Sequence, residues 1–254
     1  MSSIEGKVCI VTGAGLGLGR VIAVRLAREG AKVTAVTDRN VEGLAETKRM
    51  IEKEGGTVTT LKVDVSKEED TKRMAEETIS KYGAIDALIN NAAMFAGLKR
   101  QSFMDVPVEE WDRLMAVNVK GPWLCTRAVV PQMKKQGKGR IINIGSNVAF
   151  MSHFGFPHYL TSKAAIIGLT RALAGELGPL GITVNNLGPG TIMTEARRSY
   201  TSEERAQEVA DKMQLIKRPP LPEDITGMVV YLVSDESSML TGQTILIDGG
   251  MVLH

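Results

Sequence analysis

Short continuous apolar runs alternate along the chain with longer stretches in which apolar residues recur at helical spacing. Residues 7–12, KVCIVT, form a short apolar run rich in β-branched residues, which predicts a buried strand. Residues 41–55, VEGLAETKRMIEKEG, instead place apolar residues at helical spacing. The two kinds of stretch follow each other repeatedly, and this alternation predicts an α/β fold with a mainly parallel sheet.

The same pattern predicts the remaining elements. Further strands are expected over 31–37, 57–66, 85–93 and 140–146, and further helices over 20–30, 67–83, 106–137 and the residues that follow Lys163. No linker rich in Pro, Gly or Ser separates these elements, and no solenoid repeat is present. We therefore expect residues 1–254 to form one domain, a doubly wound parallel sheet with helices on both faces.

A glycine-rich turn lies between the first predicted strand and the first predicted helix. Residues 13–19, GAGLGLG, complete a strand–turn–helix–strand unit that continues to Asp38. Glycines permit the tight turn, the approach of a pyrophosphate and close helix packing, and the helix N-terminus offers N–H groups to phosphates. A glycine turn alone is a weak signal, but the strand before it and the helix after it favour a dinucleotide site.

Asp38 bears on the choice of dinucleotide. Its carboxylate can accept hydrogen bonds from the adenosine ribose and would repel a 2′-phosphate, which favours NAD over NADP. Arg39 instead favours NADP, because an arginine can pair with that phosphate. The alternative interpretation is that both residues form a solvated turn.

A hydroxyl, a phenol and an ammonium stand close together in the sequence. Tyr159 and Lys163 are four residues apart on a predicted helix, so their side chains can share a face, and Ser146 ends a predicted strand. A lysine cation favours the phenolate and lowers the pKa of a tyrosine toward that of a general acid or base. The pair could also arise by chance, with Ser146 as a helix cap and Tyr159 as an ordinary half-buried aromatic.

Polar residues cluster where several predicted strands end. The glycine turn, Asp38, Asp64, Asn91 and Ser146 all follow strands, and ligands of doubly wound sheets bind at those carboxyl ends. We therefore expect these residues to form one site. Asn118 lies inside a predicted helix, where asparagine is a poor helix former; a kink with a buried amide and a solvated side chain are both open.

Composition excludes several classes of function. The 254 residues are 43% hydrophobic, and 31 basic residues nearly balance 29 acidic ones, so neither nucleic acid nor an anionic membrane is an expected partner. Cys9 and Cys125 lie in apolar segments, which favours buried thiols in a reducing compartment over a disulfide or metal site. No signal peptide or membrane-spanning run is visible, so we expect a cytoplasmic protein.

The motifs in their order resemble those of the classical short-chain dehydrogenases/reductases over nearly the full chain. The matching motifs are TGAGLGLG (12–19), DV (64–65), NNAA (90–93), Asn118, Ser146, YLTSK (159–163), PGTIMT (189–194) and TGQTILIDGG (241–250). Their order and spacing are together far more specific than any one of them. The resemblance implies a Rossmann-like version of the doubly wound fold and an oxidoreductase that interconverts a secondary alcohol and a ketone with NAD(H).

The resemblance also implies a role for each matched residue. The implied catalytic set has Tyr159 as general acid and base, Ser146 polarising the carbonyl, Lys163 binding the nicotinamide ribose and lowering the tyrosine pKa, and Asn118 supporting a proton relay. The implied cofactor contacts are Gly13, Gly17, Leu18, Gly19, Asp38, Asp64, Val65, Asn91, Tyr159, Lys163, Pro189, Gly190, Ile192 and Thr194. No metal ligand is implied.

Two positions depart from the family pattern. Ala93 stands where the Asn-Asn-Ala-Gly motif has its glycine, which adds a methyl group near the cofactor. Thr37 stands where many NAD-dependent members have their acidic residue, and Asp38 follows one place later. Asp38 therefore still favours NAD, but less firmly than an aligned acidic residue would.

The segments that border substrate in the family are apolar and aromatic here. The expected substrate contacts are Phe95, Ser146, Phe150, Phe154, Tyr159 and Met193. This lining suits an apolar or aromatic ketone or alcohol. Residues 191–222 break the strand–helix rhythm with a charged, helix-prone stretch closed by prolines, and we expect a lid over the substrate or, alternatively, a solvated surface helix.

Two rival functions stay open. One is an NADP-dependent 3-ketoacyl reductase-like enzyme, which the family resemblance admits. In the 3-ketoacyl reductases an arginine usually precedes the glutamate of the helix that follows the catalytic tyrosine, but here Gly175 precedes Glu176, which disfavours this function. The other is a dinucleotide-binding sensor without chemistry, which the complete Asn–Ser–Tyr–Lys set disfavours. The resemblance further implies a homotetramer with a small-molecule substrate as its other partner.

Overall fold

The seven strands of the computed structural model form one parallel sheet, in the order β3-β2-β1-β4-β5-β6-β7. The structure describes residues 4–37, 40–152, 155–194, 198 and 201–253. The strands are β1 Val8–Thr12, β2 Lys32–Thr37, β3 Thr57–Lys62, β4 Ala87–Asn90, β5 Gly139–Ile144, β6 Ile182–Pro189 and β7 Thr244–Ile247. The order reverses direction between β1 and β4, which creates the crevice where doubly wound folds bind ligands.

The helices connect these strands on both faces of the sheet. They are α1 Gly17–Arg28, α2 Val41–Lys53, α3 Glu68–Tyr82, α4 Val108–Met115, α5 Gly121–Gln136, α6 Pro157–Leu177, α7 Glu203–Met213 and α8 Pro222–Val233. Short 3₁₀ turns occupy Phe103–Asp105, Asn147–Phe150, Gly178–Leu180 and Asp235–Ser237. The expected doubly wound α/β fold is confirmed.

Successive side chains of the central strands enter two separate hydrophobic cores. Cys9 and Val11 of β1 pack with apolar residues of α1, α2 and α8, whereas Ile10 packs with α3, α5 and α6. Because helices cover both faces, the strand is apolar throughout, as the sequence pattern indicated. Both cysteines are buried free thiols, in agreement with the sequence-based expectation.

Local signals set the helix ends. Asn40 caps α2, with its Oδ1 accepting from the N–H of Gly43 at 2.8 Å. Gly83 and Gly137 end α3 and α5 in the left-handed conformation, with φ of 79° and 67°. Three strands end earlier than predicted. β3 ends at Lys62, two residues before Asp64, and β4 ends at Asn90, which leaves Asn91 in the following loop. β5 ends at Ile144, two residues before Ser146.

The predicted helix over 106–137 contains an irregular turn. A π-helical turn, Ala116–Lys120, joins α4 to α5 and has Asn118 at its centre. The Asn118 side chain is buried, so the first of the two open interpretations, a local irregularity with a buried amide, is correct. The structure describes no helix both long and apolar enough to cross a membrane.

Candidate active site

The glycine turn follows β1 directly and leads into the first turn of α1. Gly13 and Gly17 have positive φ angles of 67° and 57°, which side chains other than glycine rarely adopt. A Cβ on Gly19 would overlap with the carbonyl oxygen of Gly13 and with Nδ2 of Asn91. The turn can therefore keep this tight path only with glycine at these three places.

The N-terminus of α1 suits a pyrophosphate. Its N-cap residue, Leu16, makes no capping hydrogen bond through its side chain, and no acidic residue lies in its first turn, so the N–H groups of this turn can meet an anion. Leu18 lies in the same turn and packs against the core. These features fit a dinucleotide, although the carboxylate expected to select it, Asp38, lies outside the described residues, as does Arg39.

Two side chains that the sequence did not single out hold the turn in shape. The Arg20 guanidinium donates from Nη2 to the carbonyl oxygens of Gly15 at 2.7 Å and Gly43 at 3.2 Å. Thr47 donates to the carbonyl oxygen of Ala14 at 2.7 Å. Arg20 follows the glycine motif immediately, which is the one signal that could have identified it.

Asn91 ties the β4 end to the glycine turn. Its Nδ2 donates to the carbonyl oxygen of Thr12 at 2.9 Å, and its backbone N–H donates to Thr12 Oγ1 at 3.0 Å. Ala92 donates its N–H to the same hydroxyl at 3.0 Å. Thr12 begins the quoted motif TGAGLGLG, and its hydroxyl joins the end of β1 to the loop after β4, a role that the motif alone does not indicate.

The predicted adenine contacts lie in the loop after β3. Asp64 Oδ1 accepts from the N–H and the hydroxyl of Ser66, at 3.0 Å and 2.7 Å, which orients the carboxylate. Val65 is buried and packs in the core shared by α3, α5 and α6. Both residues therefore follow the carboxyl end of β3, on the side of the sheet where the glycine turn follows β1. Their contacts with adenine stay a prediction.

The Lys163 ammonium lies beneath the ring of Tyr159 on α6. Its Nζ is 5.8 Å from the ring centroid and donates to the carbonyl oxygen of Ile144 at 2.7 Å. Lys163 is buried, and burial lowers the pKa of its ammonium to about 8 because the charged form loses its hydration. The predicted sharing of a helix face by Tyr159 and Lys163 is present.

Ser146 lies at the end of β5, where α6 packs against the turn that follows. Its Oγ accepts from the N–H of Val148 at 3.2 Å, so it does cap a 3₁₀ turn, as the plain alternative held. That contact uses an oxygen lone pair and leaves the hydroxyl able to donate. Capping and a catalytic role are therefore compatible.

Asn118 connects the π turn to the catalytic helix and to the β4 loop. Its Nδ2 donates to Ser162 Oγ at 3.1 Å and to the carbonyl oxygen of Met94 at 3.2 Å, and its Oδ1 accepts from the Met94 N–H at 2.7 Å. Ser162 in turn donates to the carbonyl oxygen of Tyr159 at 2.7 Å. A relay from Asn118 to Lys163 stays a prediction.

Part of the expected substrate lining surrounds Tyr159. The Phe95 ring lies 4.6 Å from the Tyr159 ring and 5.9 Å from the ring of Phe156, centroid to centroid. Phe150 is half-buried at the end of the turn that Ser146 caps. Met193 is only 3% exposed, and its contact with substrate stays a prediction. Phe154 lies outside the described residues.

The segment after β6 carries the last predicted cofactor contacts. Pro189 ends β6, Gly190 donates its N–H to the carbonyl oxygen of Ile247 at 3.1 Å, and Ile192 is buried against the core. Thr194 donates its N–H to the carbonyl oxygen of Ile192 at 3.0 Å. Of the expected lid over 191–222, residues 195–197 and 199–200 lie outside the described part, and α7 supplies a helix within it.

The geometry meets two requirements of a dinucleotide-dependent oxidoreductase: a turn that accepts a pyrophosphate and a phenol beside a buried ammonium. A family model described as Enoyl-(Acyl carrier protein) reductase matches residues 13–252. The chain belongs to the short-chain dehydrogenase/reductase family, whose members are oxidoreductases with a nicotinamide nucleotide cofactor. Among the described residues, no group of three or more His, Cys, Asp or Glu side chains could hold a metal ion.

Individual relatives cover nearly the whole chain. A protein of Mycobacterium tuberculosis (strain H37Rv) named "Uncharacterized oxidoreductase" is 41% identical, over 98% of this chain and 99% of its own. The 3-oxoacyl-(acyl-carrier-protein) reductase FabG of Thermotoga maritima is 38% identical, over 98% and 99%. A crystal structure of a putative short-chain alcohol dehydrogenase from Sinorhizobium meliloti 1021 matches with a TM-score of 0.90 and 34% identity, over 98% and 97%.

Proposed function

We propose that the protein interconverts a secondary alcohol and an apolar or aromatic ketone by hydride transfer with NAD(H). The observation that carries this proposal is the buried Lys163 ammonium beneath the Tyr159 ring, next to the turn that begins at Ser146. A bound dinucleotide supplies the hydride donor for reduction and the acceptor for oxidation. The apolar aromatic surroundings of Tyr159 support a substrate of matching character.

Each catalytic side chain has one task in this mechanism. The Ser146 hydroxyl donates a hydrogen bond to the carbonyl oxygen and polarises the carbonyl. The Tyr159 phenol donates its proton to that oxygen as the alcohol forms, and the phenolate takes the proton back in the reverse direction. Lys163, when protonated, stabilises the phenolate through its charge. Asn118 holds the start of α6 through Ser162.

NAD is the proposed cofactor because Asp38 would repel a 2′-phosphate. The test is a cofactor-resolved screen that follows absorbance at 340 nm with NADH or NADPH and a panel of aliphatic and aryl ketones. We expect turnover with aryl or apolar ketones and a higher kcat/KM with NADH. Tight NADH binding without turnover of any ketone would instead favour a dinucleotide sensor.

A 3-ketoacyl reductase-like activity is the second candidate. The similarity to the T. maritima 3-oxoacyl-(acyl-carrier-protein) reductase over 98% of this chain supports it. The screen distinguishes the two, because this candidate predicts preference for NADPH and for a β-ketoacyl thioester. Under the first proposal such a thioester is a poor substrate and NADH is preferred.

We also propose a homotetramer in the cytoplasm. An apolar groove, lined by Met115, Val119, Trp123 and Leu169, lies between α4, α5 and α6, and Trp123 is 42% exposed. A second copy of the chain would cover this surface. Sedimentation velocity tests the assembly: a Trp123→Asp variant should shift the tetramer toward smaller species, and a wild-type monomer would contradict the proposed tetramer.

The cytoplasmic location is proposed on separate grounds, since the two free buried thiols support a reducing compartment.

A further inference from the structure

A buried carboxylate lies beside the active site and takes no part in the proposed proton transfer. Asp248 follows β7 and is 3% exposed. It accepts hydrogen bonds from the backbone N–H groups of Gly250 at 3.0 Å, Met251 at 3.2 Å and Val252 at 3.1 Å, and from Nδ2 of Asn147 at 3.1 Å. The first three bonds fold the C-terminal segment over the carboxylate, and the fourth reaches a distant part of the chain.

Asn147 is the residue that directly follows Ser146. It is buried and opens the 3₁₀ turn Asn147–Phe150, which Ser146 caps. Besides Asp248, its Nδ2 contacts Sδ of Met251 at 3.4 Å. A buried amide that donates to a buried carboxylate makes a strong, directional bond, and without it Asp248 keeps only the three backbone N–H donors of its own segment. The side chain of Asn147 therefore anchors the backbone that carries the Ser146 hydroxyl.

The segment around Asp248 also contacts the other two walls of the site. A Cβ added to Gly190, in the predicted nicotinamide segment, would lie 2.9 Å from Cβ of Asp248. The carbonyl oxygen of Gly249 accepts from the N–H groups of Leu215 and Ile216, both at 2.9 Å, just beyond the C-terminal end of α7. One short segment thus contacts the serine turn, the cofactor segment and the expected lid.

We propose that Asn147 is a positioning residue that acts through Ser146, with Asp248 as its anchor. The hydrogen bond fixes the serine turn relative to the C-terminal segment, so that the Ser146 hydroxyl is held in place for the carbonyl oxygen. This inference rests on the proposed ketone reductase function for its catalytic consequence. The anchoring itself is a property of the folded chain and can be tested without turnover.

A double-mutant cycle tests the catalytic consequence. In the wild-type background, Asn147→Ala should lower kcat by about 10- to 100-fold through misplacement of Ser146, while the Kd for NADH changes by less than about 2-fold. In a Ser146→Ala background, adding Asn147→Ala should change kcat by less than about 2-fold, because the group it positions is gone. An equal loss of kcat in both backgrounds would overturn the proposal.

Asn185→Ala is the matched control. Asn185 is also buried and takes part in two hydrogen bonds, from its Nδ2 to the carbonyl oxygen of Leu240 at 2.7 Å and from the Gln243 N–H to its Oδ1 at 3.1 Å. Its loss should lower Tm as the loss of Asn147 does, yet leave kcat within about 3-fold of wild type. A comparable fall in kcat for Asn185→Ala would show that any buried asparagine matters equally and would contradict a positioning role.

Hydrogen–deuterium exchange of the protein without cofactor gives the readout that does not depend on activity. In Asn147→Ala, peptides covering 146–152 and 248–253 should exchange faster, while peptides from β1 and α1 stay unchanged. Unchanged exchange in both segments would overturn the proposal, whether or not any ketone is turned over. Faster exchange in a protein that reduces no ketone would leave the anchor standing and reject the proposed function. If Asn147→Ala does not fold, Asn147→Ser carries the same tests.

Discussion

Lys163 is a buried cation that the proposed mechanism places beside the reacting phenol. Its ammonium is buried and donates to one backbone carbonyl oxygen, and burial lowers its pKa from 10.5 to about 8. In the proposed mechanism this cation stabilises the phenolate of Tyr159. The same burial makes the protonated lysine costly for the fold without cofactor, because the lost hydration is only partly replaced.

This pKa predicts how stability depends on pH. Between pH 8 and 10.5 the unfolded chain keeps a proton on Lys163 that the folded chain has released, so stability should rise with pH through this window. The contribution is up to about 3 kcal/mol. Denaturant unfolding at pH 7.5 and pH 10 measures it, with Lys163→Met as the control that lacks the titrating group. A wild-type protein whose pH dependence equals that of Lys163→Met would contradict the assigned burial cost.

At the scale of elements, the glycines of the turn before α1 could be predicted from the sequence, whereas the side chains that stabilise this turn could not. The residues that need positive φ or a close approach are readable, because only glycine tolerates them. Arg20 and Thr12 stabilise the same turn through bonds to residues far away in sequence, such as Gly43 and Asn91, and such bonds appear only once the elements have packed. The π turn at Asn118 was predictable only as one of two possibilities, for the same reason.

Substituting Gly19, in the first turn of α1, tests whether the close packing of the glycine turn matters. Gly227, a helical glycine in α8, is the control. Gly19→Ala should lower the free energy of unfolding by about 1–3 kcal/mol, since its Cβ would overlap with Gly13 and Asn91. It should also weaken NADH binding, because the turn must widen. In Gly227→Ala, within α8, no atom lies within 4 Å of the new Cβ, and stability should rise by roughly 0.5–1 kcal/mol.

Denaturant unfolding measures the free energy of unfolding of both variants, and NADH fluorescence titration measures their affinity for the dinucleotide. Equal NADH affinity for Gly19→Ala and wild type would show that the close packing of the turn does not matter for the dinucleotide.

At the scale of the whole molecule, the alternation of apolar runs and amphipathic helices was enough to predict the layered fold. The central strands β1 and β4 are largely apolar on both faces because helices cover both, and a short apolar run of this kind can be recognised from the local sequence alone. The substrate side is different. Phe95 meets Tyr159 and Phe156 only through the packing of the loop after β4 against the start of α6, which the periodicity of the sequence does not reveal.

The two cores also predict the chemistry of the thiols. Burial raises the pKa of Cys125 to about 12 and that of Cys9 further, so the thiolate that reacts is absent from the native protein. A disulfide dye should therefore report no reactive thiol in the native protein within minutes and two after unfolding. Rapid native labelling of either cysteine would contradict the packing of its core.

The central claim is that Tyr159 transfers the proton while hydride moves to or from the nicotinamide. The most direct measurement is kcat of ketone reduction by Tyr159→Phe, followed at 340 nm, together with its Kd for NADH. We expect kcat to fall by about 10²- to 10⁴-fold, the range typical of general acid catalysis, while NADH binding stays nearly unchanged. A folded Tyr159→Phe protein that reduces the ketone at close to the wild-type rate would contradict it.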